Sequence, residues 1–132
     1  MPILQVLASS GEALPAEIAT QWRNRIRLIN AYGPTETIVC TIQELSGNEL
    51  DIACIGLALP GLEINLLVPK FEETVPEGQE VEICVAGPQL FRGYVSIDNA
   101  KARECYRNGK KFYRAGDMGI IETTAPGKSR FI

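Results

Sequence analysis

The sequence predicts an α/β part over residues 1–44, followed by a mainly antiparallel, β-barrel-like part over residues 45–132. Two observations carry this. Before residue 44, apolar runs of strand length flank one stretch of helical periodicity. After it, short strand-like runs follow one another with Pro and Gly between them. With 132 residues and 45% hydrophobic content, the chain is long enough to bury a core.

Residues 3–8 form a branched apolar run of the kind found in buried strands. Ser9-Ser10-Gly11-Glu12 reads as a turn, and Pro15 suits the first turn of a helix, where its missing N–H costs nothing. Ile18, Trp22 and Ile26 recur every four residues, giving one apolar face on a helix over about residues 15–25. Leu28-Ile29 begins a second strand that runs into Asn30-Ala31-Tyr32-Gly33-Pro34-Thr35-Glu36. Strand, turn, helix and strand in this order predict a parallel pair, with ligand loops beyond the strands' carboxyl ends. Residues 9–12 and 32–36 then face one crevice.

Residues 38–42 read as a strand and Ser46-Gly47-Asn48 as a turn. Further strands are expected over 62–68, 80–86 and 112–113. The run over 80–85 alternates polar and apolar residues like a half-buried antiparallel strand, with turns at 75–78 and 87–88 on either side. A helix over about 97–106, capped by Ser96, interrupts the strands. Two strands around Ala125-Pro126-Gly127 end the chain.

A net charge of −3, with no basic run longer than Lys110-Lys111, argues against nucleic acid or an anionic membrane as partner. Cys40, Cys54, Cys84 and Cys105 form no Cys-x-x-Cys pair, and the sequence holds no histidine. Zinc binding and Ser-His-Asp or Cys-His catalysis are therefore not expected. The cysteines sit among apolar residues, as buried thiols in a reducing compartment do. With no signal-like start and no run long enough to span a bilayer, a cytoplasmic location is expected.

The chemistry concentrates in residues 30–36. An aromatic can stack on a flat ligand, and adjacent hydroxyl and carboxylate groups can meet a metal-bound phosphate. Asn30-Ala31-Tyr32-Gly33-Pro34-Thr35-Glu36-Thr37 resembles the NxYGPTE motif of adenylation domains from nonribosomal peptide synthetases, which belong to the adenylate-forming superfamily. Four more segments agree in order. Ser10 to Pro15 resembles the GGEAL loop, and Ile55 to Pro60 resembles IGxPxxN. Pro76 to Tyr94 resembles PxGxxGELxIxGxGLARGY, and Tyr113-Arg114-Ala115-Gly116-Asp117 resembles YRTGD.

The resemblance implies ATP-dependent activation of an amino acid to an aminoacyl-adenylate, then transfer to the phosphopantetheine thiol of a peptidyl carrier protein. It implies that Tyr32 stacks on adenine, with Asn30 and the backbone of Gly11, Glu12 and Ala13 at its edges. Thr35 would reach the phosphates, Glu36 would hold Mg²⁺, and Asp117 would accept hydrogen bonds from the ribose hydroxyls. The implied substrate pocket is Ala8, Ser10, Ala31, Val39 and Cys40. None of these pairs with a charge, so a hydrophobic or aromatic amino acid is expected. An acyl-CoA or aryl-acid ligase and a non-catalytic folded subdomain are the alternatives.

The chain departs from the pattern at Ala115, where the motif has Thr or Ser, and at Val81, where it has Gly. The family's phosphate loop, its small C-terminal domain and its catalytic lysine have no counterpart in these residues. The chain therefore reads as part of an adenylation domain that needs the rest of that domain as partner. By itself it is expected not to adenylate.

Overall fold

The computed structural model describes residues 3–45, 52–67, 75, 78–95, 103–125 and 128–131. The first sheet begins with β1 (Val6–Ser9), and α1 (Ala16–Trp22) leads from it to β2 (Arg27–Tyr32). β1 and β2 pair in parallel, with Leu7 opposite Leu28 and Ser9 opposite Asn30. β3 (Thr41–Leu45) and β4 (Leu57–Ala58) then add antiparallel, giving the order β1-β2-β3-β4. The first sheet is thus mixed, and its ladder draws on residues beyond 44.

Because Leu7 pairs with Leu28 and Leu28 with Leu45, all three share one face of the sheet. That face packs with Leu14, Ala19, Trp22 and Ile52, and Leu28 is fully buried. The predicted helix is shorter than expected, and its buried residue is Ala19 rather than Ile18, which stays exposed. Over the leucine row a small side chain brings the helix close, so the apolar stripe runs through 19 and 22. The helix ends where Arg25 and Ile26 both donate their N–H to the Trp22 carbonyl.

The second sheet is antiparallel, in the order β5-β6-β8-β7: β5 (Glu63–Leu67), β6 (Val81–Ala86), β7 (Glu104–Arg107) and β8 (Lys110–Gly119). It is open rather than closed, so "barrel-like" is too strong. β6 is more buried than its alternating pattern implies. Val81, Ile83 and Val85 enter one core, while Cys84 and Ala86 pack with Phe112 on the other face. Val81, the departure from the family glycine, thus opens a strand and fills core.

Two expectations fail. The helix over 97–106 is contradicted at its C-terminal end, where Glu104–Arg107 is strand; Ser96 and residues 97–102 lie outside the described residues. The cause is Asn108-Gly109, with φ of 48° and 74°, which makes the tight β7–β8 hairpin turn. The strand expected from 38 begins only at Thr41, because Ile38 has φ of 54° and belongs to the loop after β2. The turn at 46–48 lies outside the described residues, as do positions 76 and 77 of the turn at 75–78. β9 (Ile121–Ala125) and β10 (Lys128–Phe131) pair as the closing hairpin, as predicted.

Because Leu28 lies under α1 and between two leucines, Leu28→Ala should cost about 2–5 kcal/mol. Urea denaturation of both forms measures it as a lower midpoint with an unchanged slope.

Candidate functional site

Both ends of the candidate site are built by backbone constraint. Gly33 follows β2, where a Cβ would lie 1.6 Å from the Ile38 carbonyl oxygen, so only glycine lets the chain return so closely. The return is fixed by Thr37, whose N–H donates to the Pro34 carbonyl at 2.9 Å, and by Cys40, whose N–H donates to the Tyr32 carbonyl at 2.8 Å. At the other end Gly116, with φ of 85°, makes a kink in β8. Glu82 on β6 holds that kink: Oε1 accepts the Gly116 N–H at 3.1 Å, and Oε2 accepts Arg114 Nε at 2.8 Å. Ala115, the departure from Thr or Ser, is buried in the core.

Between these ends lies a cavity of about 400 Å³. Its walls come from Gly11-Glu12-Ala13-Leu14 after β1, Asn30-Ala31-Tyr32-Gly33-Pro34 at the end of β2, Ile52, Ala53 and Ile55, and Asp117. The Tyr32 hydroxyl donates to Asp117 Oδ2 at 2.7 Å, joining residues 85 positions apart in sequence. Burial first, then the hydrogen bond and charge of Asp117, push the Tyr32 phenol well above its ordinary value. It therefore remains a neutral donor to the carboxylate.

Of the residues singled out in the sequence, Gly11, Glu12, Ala13, Asn30, Ala31, Tyr32 and Asp117 meet at this cavity. Asn30 is buried, and its Nδ2 donates to the Cys54 carbonyl at 3.0 Å and the Ile52 carbonyl at 3.4 Å. Its amide thus fixes the 52–54 wall.

Thr35 and Glu36 follow the cavity's Gly33-Pro34 rim without lining it. The Tyr94 hydroxyl donates to Glu36 Oε1. Burial raises the Glu36 carboxyl, but the Tyr94 bond, together with further hydrogen bonds and the Arg103 charge, leaves it below the usual carboxylate range. Among the described residues no three His, Cys, Asp or Glu gather into a metal cage. A single ionised carboxylate still suits magnesium, which takes one or two carboxylates and completes its shell with water and substrate phosphates.

Ala8, Ser10, Val39 and Cys40 do not line the cavity. Ala8 is exposed within β1, Ser10 is exposed just after it, and Val39 is half-buried in the loop. Cys40 is fully buried in the core with Ile64, Leu66 and Val85. Burial pushes its thiol up to about 11. Sequence reasoning did not single out Glu82, Gln89 or the wall at 52–55 as site residues. The signal that could have found Ile55, Glu82 and Gln89 is their place inside the segments 55–60 and 76–94 that resemble family motifs. A thiol held near 11 is about 0.1% thiolate at pH 8. Iodoacetamide should therefore leave Cys40 unmodified in the folded protein and label it in denaturant, which peptide mass mapping reads directly.

The chain matches the AMP-binding enzyme family over residues 1–95. It is 36% identical over 134 residues to the hybrid PKS-NRPS synthetase TAS1 of Pyricularia oryzae, covering 92% of this chain and 8% of that protein. It is 33% identical to tyrocidine synthase 1 of Brevibacillus parabrevis, covering 87% of this chain and 11% of the synthase. The chain therefore spans only a small fraction of these relatives. Among solved structures, PA1221, an NRPS protein containing adenylation and PCP domains, superposes with a TM-score of 0.77 at 28% identity. That match covers 98% of this chain and 28% of PA1221. Among the described residues no helix is long and apolar enough to cross a membrane. With a family match over most of its length, a shared fold and a site built from the matching motifs, the chain belongs to the AMP-binding enzymes and is similar to adenylation-domain segments of nonribosomal peptide synthetases.

Proposed function

We propose that this chain is the part of an amino-acid-activating adenylation domain that holds the nucleoside of ATP and one magnesium ligand. One observation carries the reading: the 400 Å³ cavity joins the Gly11–Ala13 loop, the end of β2 and Asp117, with the Tyr32 hydroxyl locked to that carboxylate. An aromatic face beside a carboxylate suits a nucleoside, the ring stacking on the base and the carboxylate accepting from the ribose hydroxyls.

In the reaction, the amino acid's carboxylate oxygen attacks the α-phosphorus of ATP. The bond to the bridging oxygen breaks, leaving an aminoacyl-adenylate and pyrophosphate. The phosphopantetheine thiol of a carrier protein then takes the acyl group and AMP departs. Tyr32 and Asp117 orient the nucleoside, Thr35 offers a hydroxyl toward the phosphates, and Glu36 is the carboxylate for magnesium. Magnesium held there by Glu36 would supply charge neutralisation at the phosphates. Of the set Ala8, Ser10, Ala31, Val39 and Cys40, only Ala31 lines the cavity, and its uncharged wall favours a hydrophobic or aromatic amino acid, because an unpaired buried charge costs several kcal/mol. Ala31, buried on the cavity wall, is the member of that set best placed to touch substrate.

The test is amino-acid-dependent ATP–pyrophosphate exchange with the full-length protein that carries this chain. Phenylalanine, leucine and similar side chains should stimulate exchange, and charged amino acids should not. Consumption of ATP only with a fatty or aryl acid and coenzyme A would instead identify an acyl-CoA ligase. Tyr32→Phe keeps the ring but leaves Asp117 without its donor. It should raise the KM for ATP about fivefold, in line with a loss of about 1 kcal/mol for one hydrogen bond.

A further inference from the structure

The loop that carries Thr35 and Glu36 does not hold itself. Ile38 within it has φ of 54°, a costly conformation for a β-branched residue, and its side chain is 66% exposed, so burial offsets little of that cost. The restraint comes from the segment after β6, whose side-chain partners lie 50 to 58 residues away in sequence. Gln89 Nε2 donates to the carbonyl of Val39 at 2.8 Å and also to that of Thr37, on either side of Ile38. The Phe91 N–H donates to the Glu36 carbonyl at 2.9 Å. Tyr94 donates its hydroxyl to the Glu36 carboxylate.

The same segment is stiffened by its own aromatic rings. Phe91 meets Tyr94 edge-to-face at 5.0 Å and Tyr113 of β8 at 5.5 Å. Tyr94 is therefore anchored through Phe91 to β8, a central strand of the second sheet. The brace fixes backbone and side chain together: two carbonyls and one N–H contact set the loop's path, and the Tyr94 hydroxyl, joined by that of Tyr113, sets the carboxylate's direction.

We infer that Gln89 and Tyr94 are positioning residues, which hold the 34–40 loop in its strained path and aim the Glu36 carboxylate. This rests on the reading of Glu36 as a magnesium ligand. A hydroxyl is well suited to the task because it orients a carboxylate without cancelling the charge that a cation needs. Outer partners of this kind commonly change metal affinity by an order of magnitude when removed.

The test compares Tyr94→Phe, Gln89→Ala and Glu36→Gln in the full-length protein. Tyr94→Phe retains the ring and its contact with Phe91. Binding of Mn²⁺ in the presence of ATP, read by electron paramagnetic resonance without turnover, should weaken about tenfold in Tyr94→Phe. The half-saturating magnesium concentration in pyrophosphate exchange should rise by the same factor, while the KM for the amino acid stays constant. Gln89→Ala should move both readouts in the same direction.

If Glu36→Gln loses Mn²⁺ affinity while Tyr94→Phe and Gln89→Ala keep it, the positioning role is overturned and the site reading survives. A lower melting temperature in those two variants with unchanged Mn²⁺ affinity overturns it equally, since the brace would then be merely structural. If Glu36→Gln binds Mn²⁺ like wild type, the assignment of Glu36 falls and this inference falls with it.

Discussion

The packing of Cys40 against β5, β6 and β8 is the constraint on which the site depends. Cys40 leaves the loop after β2 and is buried with Ile64, Leu66, Val81, Ile83, Val85 and Ala115, so the first sheet shares a core with the second. Tyr32, Ile55 and Ala58 pack against the same cluster. Without that junction, Tyr32 and Asp117 would belong to separate layers, and the hydrogen bond between them would have to bear the entropy of bringing them together. With it, the two groups are already close when the phenol donates. The hydrogen bond then selects a side-chain direction within an arrangement that hydrophobic burial has made.

The same division between burial and direction runs through the loop over 33–40. Gly33 is needed because the Ile38 carbonyl returns to within contact of its Cα, and Ile38 accepts a left-handed backbone as the consequence. The loop therefore carries unfavourable local geometry. It is offset by a fully buried Thr37, by the Cys40 anchor, and by Gln89 bonding carbonyls on both sides of Ile38. Local strain supported from distant segments is common where a backbone must present particular groups.

Much of this was legible in the sequence where the determinant is local. The parallel β1–β2 pair follows from two apolar runs with a helix between them, and Tyr32 and Asp117 follow from the motifs that contain them. The Asn108-Gly109 hairpin was also legible, but a helix assigned over 97–106 displaced it; a two-residue turn with both φ values positive is the stronger local signal. Cys40 shows the limit. Its place in a motif suggested a pocket wall, whereas its burial is decided by β5 and β6, whose approach no local pattern encodes. Gln89 shows it again, because an amide is informative only once its two carbonyl partners, 50 and 52 residues away, are known. Ile38 combines both failures: a β-branched residue in an apolar run favours a strand, and tertiary restraint overrides that preference.

The partners of the carboxylates separate structure from chemistry. In the four described ion pairs, Glu44 meets Arg27, Glu63 meets Lys110, Glu104 meets Lys111 and Glu82 meets Arg114. Each pairing cancels charge locally, and the pair of Glu82 also fixes the Gly116 kink. The two carboxylates proposed as ligands are held differently, Asp117 by the Tyr32 hydroxyl and Glu36 by those of Tyr94 and Tyr113, with no arginine in direct contact among the described residues. A phenol whose own ionisation is pushed upward remains neutral, so it orients the carboxylate while leaving its negative charge in place. An arginine there would bind more strongly and leave less field for a cation, and would compete with a ribose hydroxyl for the same oxygens. Tyrosine gives direction without neutralisation, which is what the proposed contacts with a sugar and a metal-bound phosphate would require.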